Sequence, residues 1–237
     1  MSQPKERPIL FSGPMVRAII DGRKTQTRRL VKNVPNWLHG GRSIMEWDLS
    51  GCHTDENGKH WLDVQIDVDD YLRNEIRCPY GEAGDKLRIS EEVKVSSIFE
   101  DWFGVNFVAD GLYLERPCDF ELTEKIKGYK TGHLRGVHLP PAFSRPTRLE
   151  ITAVRVEQLQ DISEADAIAE GIESRPISWL PTACEYRYYG SLYKHDQWSL
   201  LPTNSYESLW ESINGPESWD ANPWVWVIEF QKVEVAK

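Results

Sequence analysis

The chain has 237 residues, 40% of them hydrophobic, with ten tryptophans and a formal net charge of -9. That length predicts one domain with insertions or two small domains, and the tryptophans supply large area for a core. The acidic balance excludes a surface coated for non-specific nucleic-acid binding, and no apolar run approaches the roughly 18 residues that a membrane span needs.

The polar start Met1–Arg7 has no secretory apolar core, so a soluble cytoplasmic protein is expected. Cys52, Cys78, Cys118 and Cys184 are scattered, with no CxxC pair, which suits reduced thiols. Cys52, His53, His60 and Cys78 are the one set able in principle to hold zinc, at a spacing that matches no common site. No metal and no cofactor is therefore expected. Charge is unevenly spread. Residues 1–32 hold eight Lys/Arg against Glu6 and Asp21, a net of +6 that leaves -15 for the remainder. A local cationic site on an acidic body suits one nucleotide or a short strand better than a long duplex.

In chain order, Pro8–Phe11 reads as a short strand. Ser12-Gly13-Pro14 then opens a helix through Asp21, with Met15, Ala18 and Ile19 on its buried face. Gly22 fits the left-handed position that ends a helix. Thr25–Val31 reads as a strand whose alternation places Thr25, Thr27 and Arg29 on one face. Lys24, in the turn, leans toward the same side. This cluster has two readings: a solvated basic strand, or a pocket for an anion or base with a threonine nucleophile.

Residues 36–80 read as an insertion with a hairpin strand at Trp61–Ile66. Gly84-Asp85 is turn chemistry before a strand at Lys86–Ile89. Val93–Val95 and Phe103–Ala109 are two more strands, and Asp110-Gly111 signals a tight turn before Leu112–Leu114. Residues 116–146 are loop-rich and carry His133, Arg135 and His138, a group suited to contacting phosphate or to an ordinary polar loop.

Thr147–Leu159 reads as a long strand whose apolar parity switches near Ala153, which predicts a bulge or bend there. Asp161-Ile162-Ser163 caps a second helix with Ala165, Ile168, Ala169 and Ile172 as its packed face. Glu170 stands at its C-terminus, where the helix dipole disfavours a carboxylate; it reads either as a proton-transfer group or as a surface glutamate at a frayed end. Residues 173–203 are an aromatic-rich insertion, with Trp179, Tyr186, Tyr188, Tyr189, Tyr193 and Trp198 either stacking bases or packing on one another. A third helix, capped by Asn204 or Ser205, buries Tyr206, Leu209, Trp210 and Ile213. Trp224–Phe230 reads as a strand buried on both faces.

These blocks resemble the ASCH family, a branch of the PUA-like β-barrels. The matching stretches are Gly22-x-Lys24-Thr25-x-Thr27-x-Arg29, Gly84-Asp85-Lys86-Leu87-Arg88, Leu149-Glu150-Ile151-Thr152, the Ser163–Gly171 segment and Val227-Ile228-Glu229-Phe230. The resemblance covers about half of the chain. It implies an α+β fold: a small mixed β-barrel with flanking helices, in one domain carrying three insertions at about 36–80, 116–146 and 173–203. With Ser212–Gly215 through Trp226, the chain also resembles a longer subgroup carried on phages and prophages, which implies the cytoplasm of a bacterial host.

Within the family, the motifs are similar to those of small bacterial N4-acetylcytidine amidohydrolases. That resemblance implies Lys24, Thr27 and Glu170 as the catalytic set, with Arg23, Thr25, Arg28, Arg29 and Arg88 as substrate or nucleic-acid contacts. Threonine needs a nearby base to become a nucleophile, and a lysine made neutral by burial beside Arg29, or Glu170, would serve. Three functions follow as expectations. They are a hydrolase deacylating a modified cytosine nucleoside, a non-catalytic reader of modified bases or short single-stranded RNA, and a phage protein that binds a host protein through its insertions.

Overall fold

The computed structural model describes residues 4–31, 51–54, 60–67, 70–99, 102–126, 129–190 and 196–234. The elements run β1 (Glu6–Leu10), α1 (Gly13–Ile20), β2 (Gln26–Leu30), β3 (Gly51–Thr54), β4 (His60–Asp67), β5 (Asp70–Ile76), β6 (Lys86–Ser90), β7 (Val93–Ile98), β8 (Trp102–Phe107) and β9 (Tyr113–Pro117). They continue with α2 (Phe120–Ile126), β10 (Gly132–Leu134), β11 (Thr147–Gln158), α3 (Glu164–Ala169), β12 (Ser174–Ile177), β13 (Leu180–Arg187), β14 (Trp198–Ser199), α4 (Pro202–Asn214) and β15 (Trp224–Glu234). The fold is mixed α+β, mostly sheet with a few helices. Among the described residues the strands form open sheets and no closed barrel. Closure requires a partner on both sides of every strand, and outer strands such as β9 and β10 are paired on one side only. No helix among the described residues is long and apolar enough to cross a membrane.

The chain divides into two compact units. The first comprises Met1–Thr25, Tyr80–Thr152 and Phe230–Lys237, and the second comprises Gln26–Pro79 and Ala153–Glu229. Two strands, β11 and β15, each run through residues of both.

In the first unit, α1 starts at an extended Ser12 with proline in its first turn and buries Met15, Val16, Ala18 and Ile19. Gly22 has a φ of +77°, the left-handed geometry expected of it. The turn folds back so that the Arg23 and Lys24 N–H groups both donate to the Ala18 carbonyl, at 2.9 and 3.0 Å. β1 pairs in parallel with β6, and β6 pairs antiparallel with β11. The Gly84-Asp85 block locks this arrangement. Asp85 accepts from the Lys5 N–H at 2.8 Å and from Arg7 Nη1 at 2.6 Å. Burial opposes its ionisation, but these donors outweigh burial and hold its carboxyl below the usual range. Burial alternates along β11 as far as Ile151 and then becomes partial. The strand continues unbroken through Ala153, where its residues enter the second unit.

The other sheet of this unit has the order β10-β7-β8-β9. Its core holds Val93, Val95, Phe103, Val105 and Phe107, joined by Ile126 and Phe143. The Phe103 and Phe143 rings meet edge-on at 4.7 Å. The stretch 116–146, expected as loop, thus supplies α2, β10 and two 3-10 turns at Gly136–His138 and Pro141–Phe143. A 3.6-residue apolar period is too short to read in a seven-residue helix. His133 is exposed and lies 2.6 Å from Glu92. Beside this core Arg145 is buried. Its Nε donates to Glu91 Oε1 at 2.7 Å, and its two terminal nitrogens donate to Asp110 at 2.8 Å each. Burial pushes the Glu91 carboxyl up against the pull of Arg145, and Glu91 Oε2 has no hydrogen-bond partner among the described residues.

In the second unit, β3, β4 and β5 form an antiparallel meander where an insertion with a single hairpin strand was expected. The part of that insertion at 36–50 and the side chains of Cys52 and His53 lie outside the described residues. His60 is buried edge-on against Trp226 at 4.9 Å. The aromatic stretch 173–203 forms a second antiparallel sheet, β12-β13-β14; Tyr193 lies outside the described residues. α4 buries Tyr206, Leu209 and Trp210 as expected, but it begins at Pro202, before the expected caps Asn204 and Ser205, and leaves Ile213 65% exposed. Proline suits a first helical turn, which moves the start upstream. β15 buries Val225, Trp226, Val227 and Ile228 consecutively, on both faces. β2 pairs antiparallel with it, Thr27 opposite Ile228 and Arg29 opposite Trp226.

Gly136 has no room for a side chain: a Cβ there would lie well inside contact distance of the Glu91 carbonyl oxygen and amide nitrogen. Both are backbone atoms, so Gly136→Ala is expected to destabilise the protein by about 1–3 kcal/mol. Gly13→Ala, whose Cβ would find ordinary contacts at 3.7 Å, should not. Urea midpoints of the two variants check this.

Candidate active site

The basic motif does not lie on a solvated strand. Lys24, Gln26, Thr27 and Arg28 are all buried, Lys24 at 4% exposure and Thr27 at 1%, while Thr25 is exposed and Arg29 half-buried. β2 is covered on both faces from Gln26 to Arg28, so Thr27 and Arg28 are buried on opposite sides of the strand.

Lys24 belongs to the first unit, where its Nζ lies 5.8 Å from the Phe11 ring centroid. Arg23 is exposed and pairs with Asp21 at 3.3 Å, and the Thr25 carbonyl accepts from the Phe230 N–H at 2.8 Å. Arg88, also in the first unit, lies 3.6 Å from Glu6. Each of these is held by local partners.

In the second unit Arg28 is the centre. Its side chain is fully buried and meets three carboxylates. Nε donates to Glu157 Oε1 at 3.0 Å, Nη2 donates to the same oxygen and lies 3.3 Å from Asp166 Oδ2, and Nη1 lies 3.3 Å from Glu170 Oε1. Arg155 repeats the pattern: Nε to Glu157 Oε2 and Nη2 to Asp166 Oδ2, both at 3.1 Å, with Nη1 on Glu229. Two guanidinium groups thus face four carboxylates. Gln26 adds a hydrogen bond from its side-chain amide to the Asp166 carbonyl at 3.0 Å. The Tyr206 ring lies 5.8 Å from Arg28. Burial, reinforced by Glu170, pushes its phenol well above the ordinary range, so the hydroxyl keeps its proton. Arg28 is raised despite burial, with Glu170 the leading opposing influence. Arg29 Nη1 donates to the Arg28 carbonyl at 3.1 Å.

α3 supplies two of the carboxylates, and of its expected packed face only Ile172 is buried, with Ala169 half-buried. Ala165 is exposed and Ile168 is 43% exposed, while Ala167 and Glu170 are buried, Glu170 at 3%. The Ser163 hydroxyl caps the helix by accepting from the Asp166 N–H at 3.1 Å, and Glu170 is its C-cap. The apolar period misled because the helix is under two turns long. A buried guanidinium holds its carboxylate face inward more strongly than two exposed aliphatic groups can draw the other face in.

The fold brings the motif's Arg28 and the helix-ending Glu170 together from positions 142 residues apart. Sequence reasoning named both and missed Glu157, Asp166, Arg155, Gln26 and Tyr206. A signal was present: Arg155 and Glu157 share one face of a strand, and Asp166 precedes Glu170 by one helical turn. Among the described residues no group of three or more His, Cys, Asp and Glu side chains is gathered as a metal site requires. The arrangement suits proton transfer and orientation of a polar group.

Burial opposes ionisation of Asp166, but Arg28 and Arg155 outweigh it and hold the carboxyl below its ordinary value. A depressed folded value gives stabilisation that is complete above the unfolded value, about pH 4, and is lost as pH falls through the folded one. Asp166→Asn is therefore expected to lower the melting temperature at pH 7 and to shrink the further drop between pH 7 and pH 3. Thermal melts at the two pH values check it. Set beside known proteins, the chain matches no family model, no curated protein and no solved structure.

Proposed function

We propose that this chain is an ASCH-type protein of PUA-like ancestry that removes the acyl group from N4-acylated cytidine. The observation that carries the reading is the contact between Arg28 and Glu170. It joins, inside the second unit, the two sequence blocks whose resemblance suggested a hydrolase. Burial of Thr27 and Glu170 within the same unit adds support, since it shelters the hydroxyl and the carboxylate from bulk water.

In this reading the Thr27 hydroxyl attacks the acyl carbon and passes its proton to Glu170, which belongs to the same unit. The tetrahedral oxyanion is met by Arg29 or by backbone N–H groups. Collapse breaks the C–N bond, the leaving cytosine amine takes the proton back, and cytidine departs. Water then attacks the threonyl ester, releasing the acid and restoring the hydroxyl.

The test is incubation of the purified chain with N4-acetylcytidine, reading acetate and cytidine. Thr27→Val and Glu170→Gln are each expected to lower kcat by about 100-fold or more, with Thr27→Ser retaining part of the activity. A wild-type protein that releases no acetate would sink the reading.

A second reading, a non-catalytic reader of modified bases or short single-stranded RNA, draws on one feature. Trp179, in the turn between β12 and β13, is 79% exposed, and an open indole is a stacking surface for a base. If it serves that purpose, Trp179→Ala should weaken binding of a short single-stranded oligonucleotide by about 5- to 100-fold, measured by fluorescence anisotropy at low salt. Equal affinities of the two proteins would dismiss this reading.

A further inference from the structure

The chemistry open to Glu170 depends on what fixes its carboxylate, and the distances around Arg28 are unequal in an informative way. One edge of the guanidinium is saturated. Nε and Nη2 both donate to Glu157 Oε1, and Nη2 also faces Asp166 Oδ2 at 3.3 Å. Those two carboxylates are in turn gripped by Arg155, at 3.1 Å each. Glu157 and Asp166 therefore sit between two arginines, and the plane of Arg28 is set by them. The remaining nitrogen, Nη1, faces Glu170 Oε1 at 3.3 Å, the same distance as Nη2 from Asp166. A guanidinium is rigid, so fixing one edge fixes the direction of the other.

We infer that Arg28 is a positioning residue for Glu170: Glu157, Asp166 and Arg155 lock its guanidinium so that Nη1 holds one oxygen of the Glu170 carboxylate in place. That contact fixes the direction from which the carboxylate is held. Arg28 also offsets the negative end of α3, where Glu170 is the C-cap. Of the other groups around Arg28, Glu157 and Asp166 are engaged by both arginines, and Tyr206 on α4, which feels the Glu170 charge, keeps its proton. This inference rests on the proposed role of Glu170 and adds to it the residue that aims the carboxylate.

Two readouts test it. The first is a urea double-mutant cycle between Arg28→Gln and Glu170→Gln, which needs no activity. The second is kcat and KM for N4-acetylcytidine in Arg28→Gln and Arg28→Lys. Where Arg28→Gln alone fails to fold, both are repeated in a Glu157→Gln background, which removes one anion for the lost cation. The expected result is a non-additive cycle. Alongside it, Arg28→Gln should lower kcat by about 30- to 100-fold with KM changed less than about threefold, and Arg28→Lys should recover part of the loss. An additive cycle overturns the inference, and so does full activity in Arg28→Gln. A wild-type protein inactive on N4-acetylcytidine removes the deacylase reading instead. The cycle then decides alone whether Arg28 holds Glu170.

Discussion

A guanidinium with no exposed surface governs the second unit. Arg28 is always charged, and a buried charge is tolerable only where it is paired and its hydrogen-bonding capacity is met. Three carboxylates answer that requirement, one from β11 and two from α3. The demand fixes which face of α3 turns inward and which way β2 presents its side chains. It also places Glu157 where Arg155 can share it. An apolar stripe would have oriented the same helix differently, and Ile168 is left exposed as a consequence.

The first unit meets a similar constraint with a different result. Arg145 is buried against Glu91 and Asp110 and lies 4.7 Å from the Phe107 ring. There the arginine is fully engaged, and one oxygen of Glu91 has no hydrogen-bond partner among the described residues. That cluster braces the segment from the 3-10 turns to β11 against the β7–β8 sheet, a structural task. The Arg28 network carries the same excess of acid, four carboxylates to two arginines, and differs in that Glu157 and Asp166 are each shared between both arginines.

Much of the framework was legible in the residues alone. The α1–Gly22 turn, the buried run of β15 and the Tyr206-Leu209-Trp210 stripe follow from period and turn chemistry that act over a few residues, and the structure has them where expected. The insertions were less legible. α2, β10 and the β12-β13-β14 sheet are short elements whose stability comes from what they pack on, and short windows carry little periodic signal. Burial of β2 on both faces was not legible, because alternation separates two sets of side chains and does not say whether one set or both are covered.

From its own residues the chain determined a cationic motif after a helix-ending glycine, a glutamate closing a later helix, and an acidic body that disfavours a long duplex. Those are local properties, set by backbone sterics and by the charge of each side chain. Tertiary structure alone decided that Arg28 is the motif's buried arginine and that Glu157, Asp166 and Glu170 are its partners. Pairing of charges over more than a hundred positions is a contest among all the acids in the chain. It is resolved by which of them packing carries to within hydrogen-bonding distance, and no local pattern records that outcome.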